Sequence, residues 1–256
     1  MLITLNGIVI GERIIGENSC FLDVFTDKLG IVEVMAHGVK KIGGKNSSAA
    51  SLFSYSKFCL KKSGNKYTIN SSEPICSFYD ICKSIEGLSL ASYFAEVIKY
   101  CATSEEEHTE LLRFVCMTYF HLQKGKLSLR FIKAIFEFRF ITHIGFMPDL
   151  RACKECICYN SDEMYFLPDE GSLYCSECYE ELRDDIGEQN AFFLNPTVLH
   201  TMRYVAYSDI EKLYRFSVSE QNERIFSAIA EFYLLTQLGR SFKTLDYYKN
   251  INFNMN

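Results

Sequence analysis

Residues 153–178 read CKECICYNSDEMYFLPDEGSLYCSEC. Two Cys-x-x-Cys units, Cys153/Cys156 and Cys175/Cys178, are separated by 18 residues. A Cys-x-x-Cys turn brings two thiolates to one side of a tight knuckle. Two knuckles joined by a hairpin make a tetrahedral four-sulfur cage. The residues between them suit that hairpin: Met164–Leu167 reads as a strand, Pro168-Asp169-Glu170-Gly171 as a turn, and Ser172-Leu173-Tyr174 as the return strand. Zn²⁺ suits four thiolates best. A site closed by four protein ligands has no position left for water, so it serves structure and not hydrolysis. Cys158, two residues beyond the first knuckle, reads as a spare thiol.

On both sides of this module the pattern is helical. Downstream, Asn195-Pro196-Thr197 opens a helix carrying Val198, Leu199, Met202 and Val205. A last long helix is expected over 220–238, closed by Gly239. Upstream, Leu88, Tyr93, Phe94, Val97, Ile98 and Cys101 fall at helical spacing, as do Leu111, Leu112, Phe114, Val115, Met117, Tyr119 and Phe120. Ser104, with Glu105, Glu106 and Glu107 after it, predicts an N-cap. A third helix over 127–143 is apolar around much of its circumference, which marks it as central to a helical core. Gly145 and Pro148 end it.

Before residue 79 the period is that of strands. Ile8-Val9-Ile10, Ile14-Ile15, Cys20–Phe25 and Ile31–Ala36 are short apolar runs, and Asp27-Lys28-Leu29-Gly30 is a turn. Phe58–Lys62 and Lys66–Ile69 flank Ser63-Gly64-Asn65 as a hairpin. Several short strands in under 80 residues predict a small closed barrel. Gly43–Ser48 has no apolar residue to anchor it and is expected to be a mobile loop. The expected class is therefore α+β. Its divisions are 1–78 as an OB-fold barrel, 79–150 and 183–256 as two parts of a helical domain, and 151–182 as an inserted zinc-ribbon-like module.

The charge is unevenly placed. The whole chain of 256 residues has 27 Lys+Arg against 32 Asp+Glu, a net of −5. Yet Val34–Ser72 contains no acid and seven lysines, Lys40, Lys41, Lys45, Lys57, Lys61, Lys62 and Lys66. That segment is +7, which leaves −12 for the remainder. A solvated face mixes signs. A barrel segment of one sign, interleaved with aromatics, points to phosphate neutralisation and base stacking. Phe53 and Phe58 read as core, Tyr55 and Tyr67 as stacking candidates.

Composition excludes other classes. At 48% hydrophobic residues the chain is neither disordered nor of low complexity. No stretch approaches the about 20 apolar residues of a membrane span, and Met1–Ile10 lacks a basic leader. With 11 cysteines and no secretory signal, the expected compartment is cytoplasmic. Cys20, Cys59, Cys76, Cys82, Cys101 and Cys116 read mostly as small core residues. His108-x-Glu110 ahead of Cys153 and Cys156 is similar to a zinc deaminase pattern, but Ala152 stands where Pro is required. Gly38–Asn46 misses the P-loop spacing by one residue. No catalytic residue is therefore assigned.

Several stretches, in order, resemble the RecO family of bacterial recombination mediators. They are Gly7-Ile8-Val9-Ile10, Phe25–Gly30, Ala36-His37-Gly38-Val39-Lys40-Lys41, Ile144–Leu150 running into Cys153 and Cys156, Gly171–Cys175, and Leu238–Leu245. The resemblance covers nearly the whole chain. It implies an OB-fold, a helical domain interrupted by a zinc module, and no enzymatic turnover. It implies binding of single- and double-stranded DNA and annealing of complementary strands. The implied partners are RecR and the single-strand DNA-binding protein, with RecA loaded indirectly, in the bacterial nucleoid. Lys40 and Lys41 match family basic residues directly. Lys45 matches less closely, because the family's Ser-rich continuation is spread over Gly43–Ser48. Arg240 and Lys243 match by position, with helix C-terminal charge as the alternative role. Two other classes stay open from sequence: a zinc-dependent nucleic-acid-modifying enzyme, deaminase or nuclease, and a protein-only adaptor.

Overall fold

A computed structural model describes residues 1–41, 44, 46–102, 107–159, 162–186 and 191–253. Five strands close a barrel in the order β1-β2-β3-β5-β4. They are β1 (Leu2–Ile15), β2 (Ser19–Thr26), β3 (Gly30–Ala36), β4 (Ser54–Ser63) and β5 (Lys66–Ser77). Period-two alternation turns Cys20, Leu22 and Val24 of β2 and Val32, Val34 and Ala36 of β3 into one core, with Leu5, Val9, Phe58 and Leu60. Strands β3 and β5 run parallel and pair only at Val34↔Tyr67 and Met35↔Thr68, so the barrel closes along a short seam.

Gly7 shows how tight the barrel is. A Cβ there would stand 2.6 Å from Val24 Cγ1 and 3.0 Å from the Phe25 carbonyl oxygen. Gly7→Ala is expected to lower stability by about 1–3 kcal/mol, the usual cost of overpacking, as read by denaturant unfolding. The turn after β2 is fixed by side chains. Asp27 accepts from the Asn6 backbone N–H and side-chain amide, both at 3.1 Å, and Thr26 Oγ1 accepts from Leu29 N–H at 3.0 Å.

Gly43–Ser48, expected to be a mobile loop, lies between β3 and β4. Lys45 and Gly43 lie outside the described residues. The described part is a run of hydrogen-bonded turns, with Asn46 Oδ1 accepting from the Ser72 N–H at 3.2 Å and the Ser72 hydroxyl at 3.1 Å. Polar anchoring replaces the apolar anchor that the sequence lacks. Phe53 ends the segment at φ +59°. That turn drives its ring into the core, stacked on Tyr119 at 5.2 Å.

Two compact units account for the chain: Met1–Lys126 with Phe242–Asn256, and Leu127–Ser241. The first joins the barrel to α1 (Ile85–Cys101), α2 (Thr109–Lys124) and α7 (Lys243–Phe253). Helix α1 is capped by the Ser84 hydroxyl, which accepts from Gly87 N–H at 2.9 Å. Helix α2 has His108 at its N-cap, not Ser104. Ser104, Glu105 and Glu106 lie outside the described residues. Phe120 is 40% exposed because it falls off the stripe formed by Leu111, Leu112, Val115, Tyr119 and Leu122. Helix α7 is a further departure, since α6 was expected to be the last helix. It returns to α1, where Phe242 meets Tyr93 edge-on at 5.9 Å and Glu96 accepts from Thr244 N–H at 3.1 Å.

The second unit holds α3 (Leu129–His143), a four-stranded sheet, and helices α4 (Ser176–Ile186), α5 (Pro196–Tyr207) and α6 (Glu220–Leu238). The sheet order is β6-β8-β7-β9, from β6 (Asp149–Cys153), β7 (Met164–Leu167), β8 (Ser172–Cys175) and β9 (Phe192–Leu194). Helices α3 and α6 pack through Phe138, which lies 5.6 Å from Phe226 and 5.9 Å from Tyr233. Asn195 caps α5, its Oδ1 accepting from Val198 N–H at 3.0 Å ahead of Pro196. Gly239 ends α6 at φ +59°. The architecture is α+β: an OB-like five-stranded barrel followed by a helical part that carries a four-cysteine cluster.

Candidate metal centre and nucleic-acid surface

The two knuckles meet. The ligand sulfurs of Cys153, Cys156, Cys175 and Cys178 all lie within 4.8 Å of one another, with Cys156 Sγ to Cys175 Sγ at 3.6 Å. Zn–S bonds of about 2.3 Å in a tetrahedron place sulfurs about 3.8 Å apart, and a disulfide would bring them to about 2 Å. The spacing therefore fits four ligands around one ion and not two bridges, and all four thiols are free. Among the described residues this is the one group of three or more metal-ligating side chains.

Local backbone makes the cage. Cys153 ends β6, where its N–H donates to Cys158 O at 2.8 Å, and Ile157 N–H turns back to Cys153 O at 3.1 Å. Ile157 takes φ +62° to complete the knuckle. Lys154 N–H donates to Leu173 O at 2.7 Å, and its ammonium reaches Glu170 at 2.7 Å. Tyr174 donates to the same carboxylate oxygen at 2.7 Å, tying the first knuckle to the hairpin turn. On the other side Cys175 ends β8, and Cys178 lies in the first turn of α4.

Burial raises the Cys153 thiol, but the N–H groups of Cys156, Cys175 and Glu155 outweigh it and bring the pKa down to about 7. Cys178 is pushed up, first by its hydrogen bond to Cys175 and then by burial. One thiolate is favoured and further ones repel it, so the set as a whole calls for a cation. Cys158 stands outside the four and serves through its carbonyl.

The lysines fall into two groups. On β4 the outward positions are Tyr55, Lys57, Cys59 and Lys61, and both lysines are exposed. Lys66 is exposed at the start of β5, and half-buried Lys62 sits 5.5 Å from the centre of the Tyr67 ring. After β3, Lys41 is exposed, while Lys40 is held by Glu12 at 2.6 Å and is not a free charge. Tyr55 is half-buried and its hydroxyl is raised by burial, with Cys116 of α2 and Asp27 beside it. Tyr67 is half-buried against the barrel core. Arg240 follows the α6 cap and is exposed. Lys243 opens α7, so the helix C-terminal role considered for it does not apply.

Two family descriptions match: Recombination protein O N terminal over residues 1–78 and Recombination protein O C terminal over residues 82–246. The chain belongs to the RecO family. Relatives named DNA repair protein RecO align almost end to end. That of Alkaliphilus metalliredigens is 26% identical over 252 residues, covering 98% of this chain and 100% of the relative. That of Acetivibrio thermocellus is 26% identical, covering 96% of each. That of Caldanaerobacter subterraneus subsp. tengcongensis is 27% identical, covering 94% of each.

The RecO-family boundaries bracket the barrel and the helical part. His108 of the deaminase-like pattern donates its backbone N–H to Asp27 O at 2.8 Å and packs its ring 5.6 Å from Phe25, and the four sulfurs cluster without a histidine among the described residues. Of the scattered cysteines, Cys20 is buried, but Cys59, Cys82, Cys101 and Cys116 are only half-buried and Cys76 is exposed. Cys76 lies on β5 opposite Tyr55, where the strand faces outward. Among the described residues no helix is long and apolar enough to cross a membrane.

Proposed function

We propose that the chain is a non-catalytic mediator of recombinational DNA repair. It binds single- and double-stranded DNA, anneals complementary strands and, with RecR, helps load RecA onto strands coated by single-strand DNA-binding protein. The observation that carries this reading is the RecO-family match over the barrel and the helical part together. The acid-free run of lysines on the barrel supports it physically. Two strands repel each other through their phosphates. A lysine surface that neutralises both lets them approach and pair. In this reading residues 1–78 hold DNA, residues 151–182 form a module held by one structural Zn²⁺, and the helical segments 79–150 and 183–256 receive protein partners. Four thiolates would fill the coordination sphere, which supports a structural role over turnover.

Lys57 and Lys61 are the leading DNA contacts, since both are exposed and share one strand face. Lys41, Lys62, Lys66 and Tyr67 follow, with Lys45, Arg240 and Lys243. Lys40 must first give up Glu12, and Tyr55 is turned toward α2. The Lys57→Ala/Lys61→Ala variant is expected to bind both forms of DNA more weakly and to anneal more slowly. The slope of log affinity against log salt should fall by about two, roughly one for each lost phosphate contact. Unchanged binding at low salt would remove these lysines from the interface.

A further inference from the structure

The four ligand thiols differ in their access to water. Cys156 is exposed, Cys178 is half-buried, and Cys153 and Cys175 are buried. Lys154, Glu155 and Ile157 around Cys156 are exposed as well, so the tip of the first knuckle faces solvent. Across the cage, Cys156 Sγ stands 3.6 Å from Cys175 Sγ. A disulfide needs about 2.0 Å. One ligand is thus open to small molecules in water and a short movement away from a buried partner.

The knuckle that carries Cys156 is strained. Ile157, the next residue, takes φ +62°. That region suits glycine, and a β-branched residue there crowds its Cβ against the backbone. Packing does not hold it in place, because Ile157 is 71% exposed. The hold comes from two backbone bonds, Ile157 N–H to Cys153 O at 3.1 Å and Cys153 N–H to Cys158 O at 2.8 Å, and from the joining of the sulfurs. Glycine after the second cysteine would close the same turn without this cost. The ligands therefore keep shut a turn that the backbone favours opening.

We propose that the first knuckle is a peroxide-sensitive latch, in which oxidation joins Cys156 to Cys175, opens the cage and releases the metal. The proposal rests on the reading above that the four thiols hold Zn²⁺. Ligation keeps thiols deprotonated, and the thiolate is the nucleophile. The Cys156 thiolate attacks one oxygen of hydrogen peroxide. An S–O bond forms, the O–O bond breaks, and the other oxygen leaves as hydroxide. Cys156 is then a sulfenic acid, oxidised by two electrons, and the peroxide is reduced. The Cys175 thiolate attacks that sulfur. An S–S bond forms, the S–O bond breaks, and a second hydroxide leaves. Two thiolates and one peroxide thus become one disulfide and two hydroxides. Cys153 and Cys178 remain as half of a ligand set, too few to keep the ion. Strands β6 and β8, which end at Cys153 and Cys175, lose their clamp with it.

The test titrates the zinc-loaded full-length chain with hydrogen peroxide. A metallochromic indicator reads the zinc released, and alkylation followed by peptide mass spectrometry maps the linkage. One zinc is expected to leave for each disulfide formed, with Cys156 joined to Cys175. Dithiothreitol with added zinc should restore the site, because a disulfide lies on the reversible part of the oxidation ladder. Ile157→Gly removes the strain and should raise the peroxide dose for half-release about fivefold, from the cost of a non-glycine residue in the left-handed region. Cys158→Ser should release zinc as the wild type does. The proposal is overturned if Cys156 pairs with Cys158, if Cys158→Ser blocks release, if zinc stays bound at doses that oxidise glutathione, or if Ile157→Gly releases as readily as the wild type. A wild type that holds no zinc at all would instead remove the metal-centre reading itself.

Discussion

Lys133→Ala is expected to cost about 3–5 kcal/mol of stability, as expected when one partner of a buried ion pair is removed. Lys133 and Glu137 lie one turn apart on α3, with side chains 4% and 0% exposed. The ammonium reaches both Glu137 oxygens, at 2.8 and 2.9 Å, and Glu231 of α6 at 2.7 Å. Three N–H donors thus meet three carboxylate oxygens, and the triad bolts α3 to α6 amid phenylalanines. Alanine removes the cation from the fully buried Glu137 carboxylate. The comparison that isolates this cause is Lys133→Met/Glu137→Leu, which removes both buried charges at similar volume. It should recover most of the loss in denaturant unfolding, because Glu231, at 20% exposure, can turn to solvent. A double variant as unstable as Lys133→Ala would show that the ion pair itself is needed.

The pH dependence of this triad has a definite sign. Burial lowers the Lys133 pKa, but Glu137 and Glu231 raise it more, so it stands above its ordinary value. Its contribution is whole below the unfolded value, about 10.4, and is lost only as pH rises through the folded value. Lys133 should therefore add no pH dependence to stability near neutral pH, where its contribution is fully present, and a loss through its deprotonation should appear only in strong alkali.

What the sequence made legible were features settled within a few residues. The β4–β5 turn at Ser63-Gly64-Asn65, the Asn195-Pro196 start of α5 and the Gly239 end of α6 are each set by the backbone needs of one or two positions. The cysteine knuckles belong to this class, because C-x-x-C spacing encodes the turn. What stayed hidden were pairings across many residues. Helix α7 returns to α1 from more than 140 positions away, and nothing around Lys243 announces that partner. Lys133 and Glu137 look like ordinary surface charges in a helix whose phenylalanines set the pattern; only α6 reveals that they are buried. Lys40 reads as a free cation until Glu12 appears beside it. The short seam depends on where β5 leaves β3, which no local periodicity records.

Cys175→Ser should have the largest local effect, with loss of the bound metal and opening of the sheet that carries the knuckles. The four thiols bring together β6, β8 and the first turn of α4, segments that in sequence are joined only through the knuckle loop and the hairpin. Structural zinc contributes about 10–16 kcal/mol of apparent binding energy at pH 7 in small zinc-dependent folds. That matches or exceeds the whole stability of an ordinary domain, about 5–15 kcal/mol. The wild type is expected to purify with one zinc per chain and to show sulfur-only coordination in its X-ray absorption spectrum. Cys175→Ser, or a strong chelator, should strip the metal and expose amides of residues 149–175 to hydrogen exchange, while the barrel keeps its protection. Cys158→Ser should leave the metal in place, since that thiol stands outside the four. The pH trend follows from the ligands. Only thiolates bind, so protons compete with the metal and affinity falls as pH falls. With Cys153 near pH 7 in the absence of metal and Cys178 pushed well above its ordinary value, that competition extends up to neutral pH. A cluster that keeps full zinc after Cys175→Ser, or that shows a nitrogen or water ligand, would be an open site instead, and the enzymatic alternative would return with it.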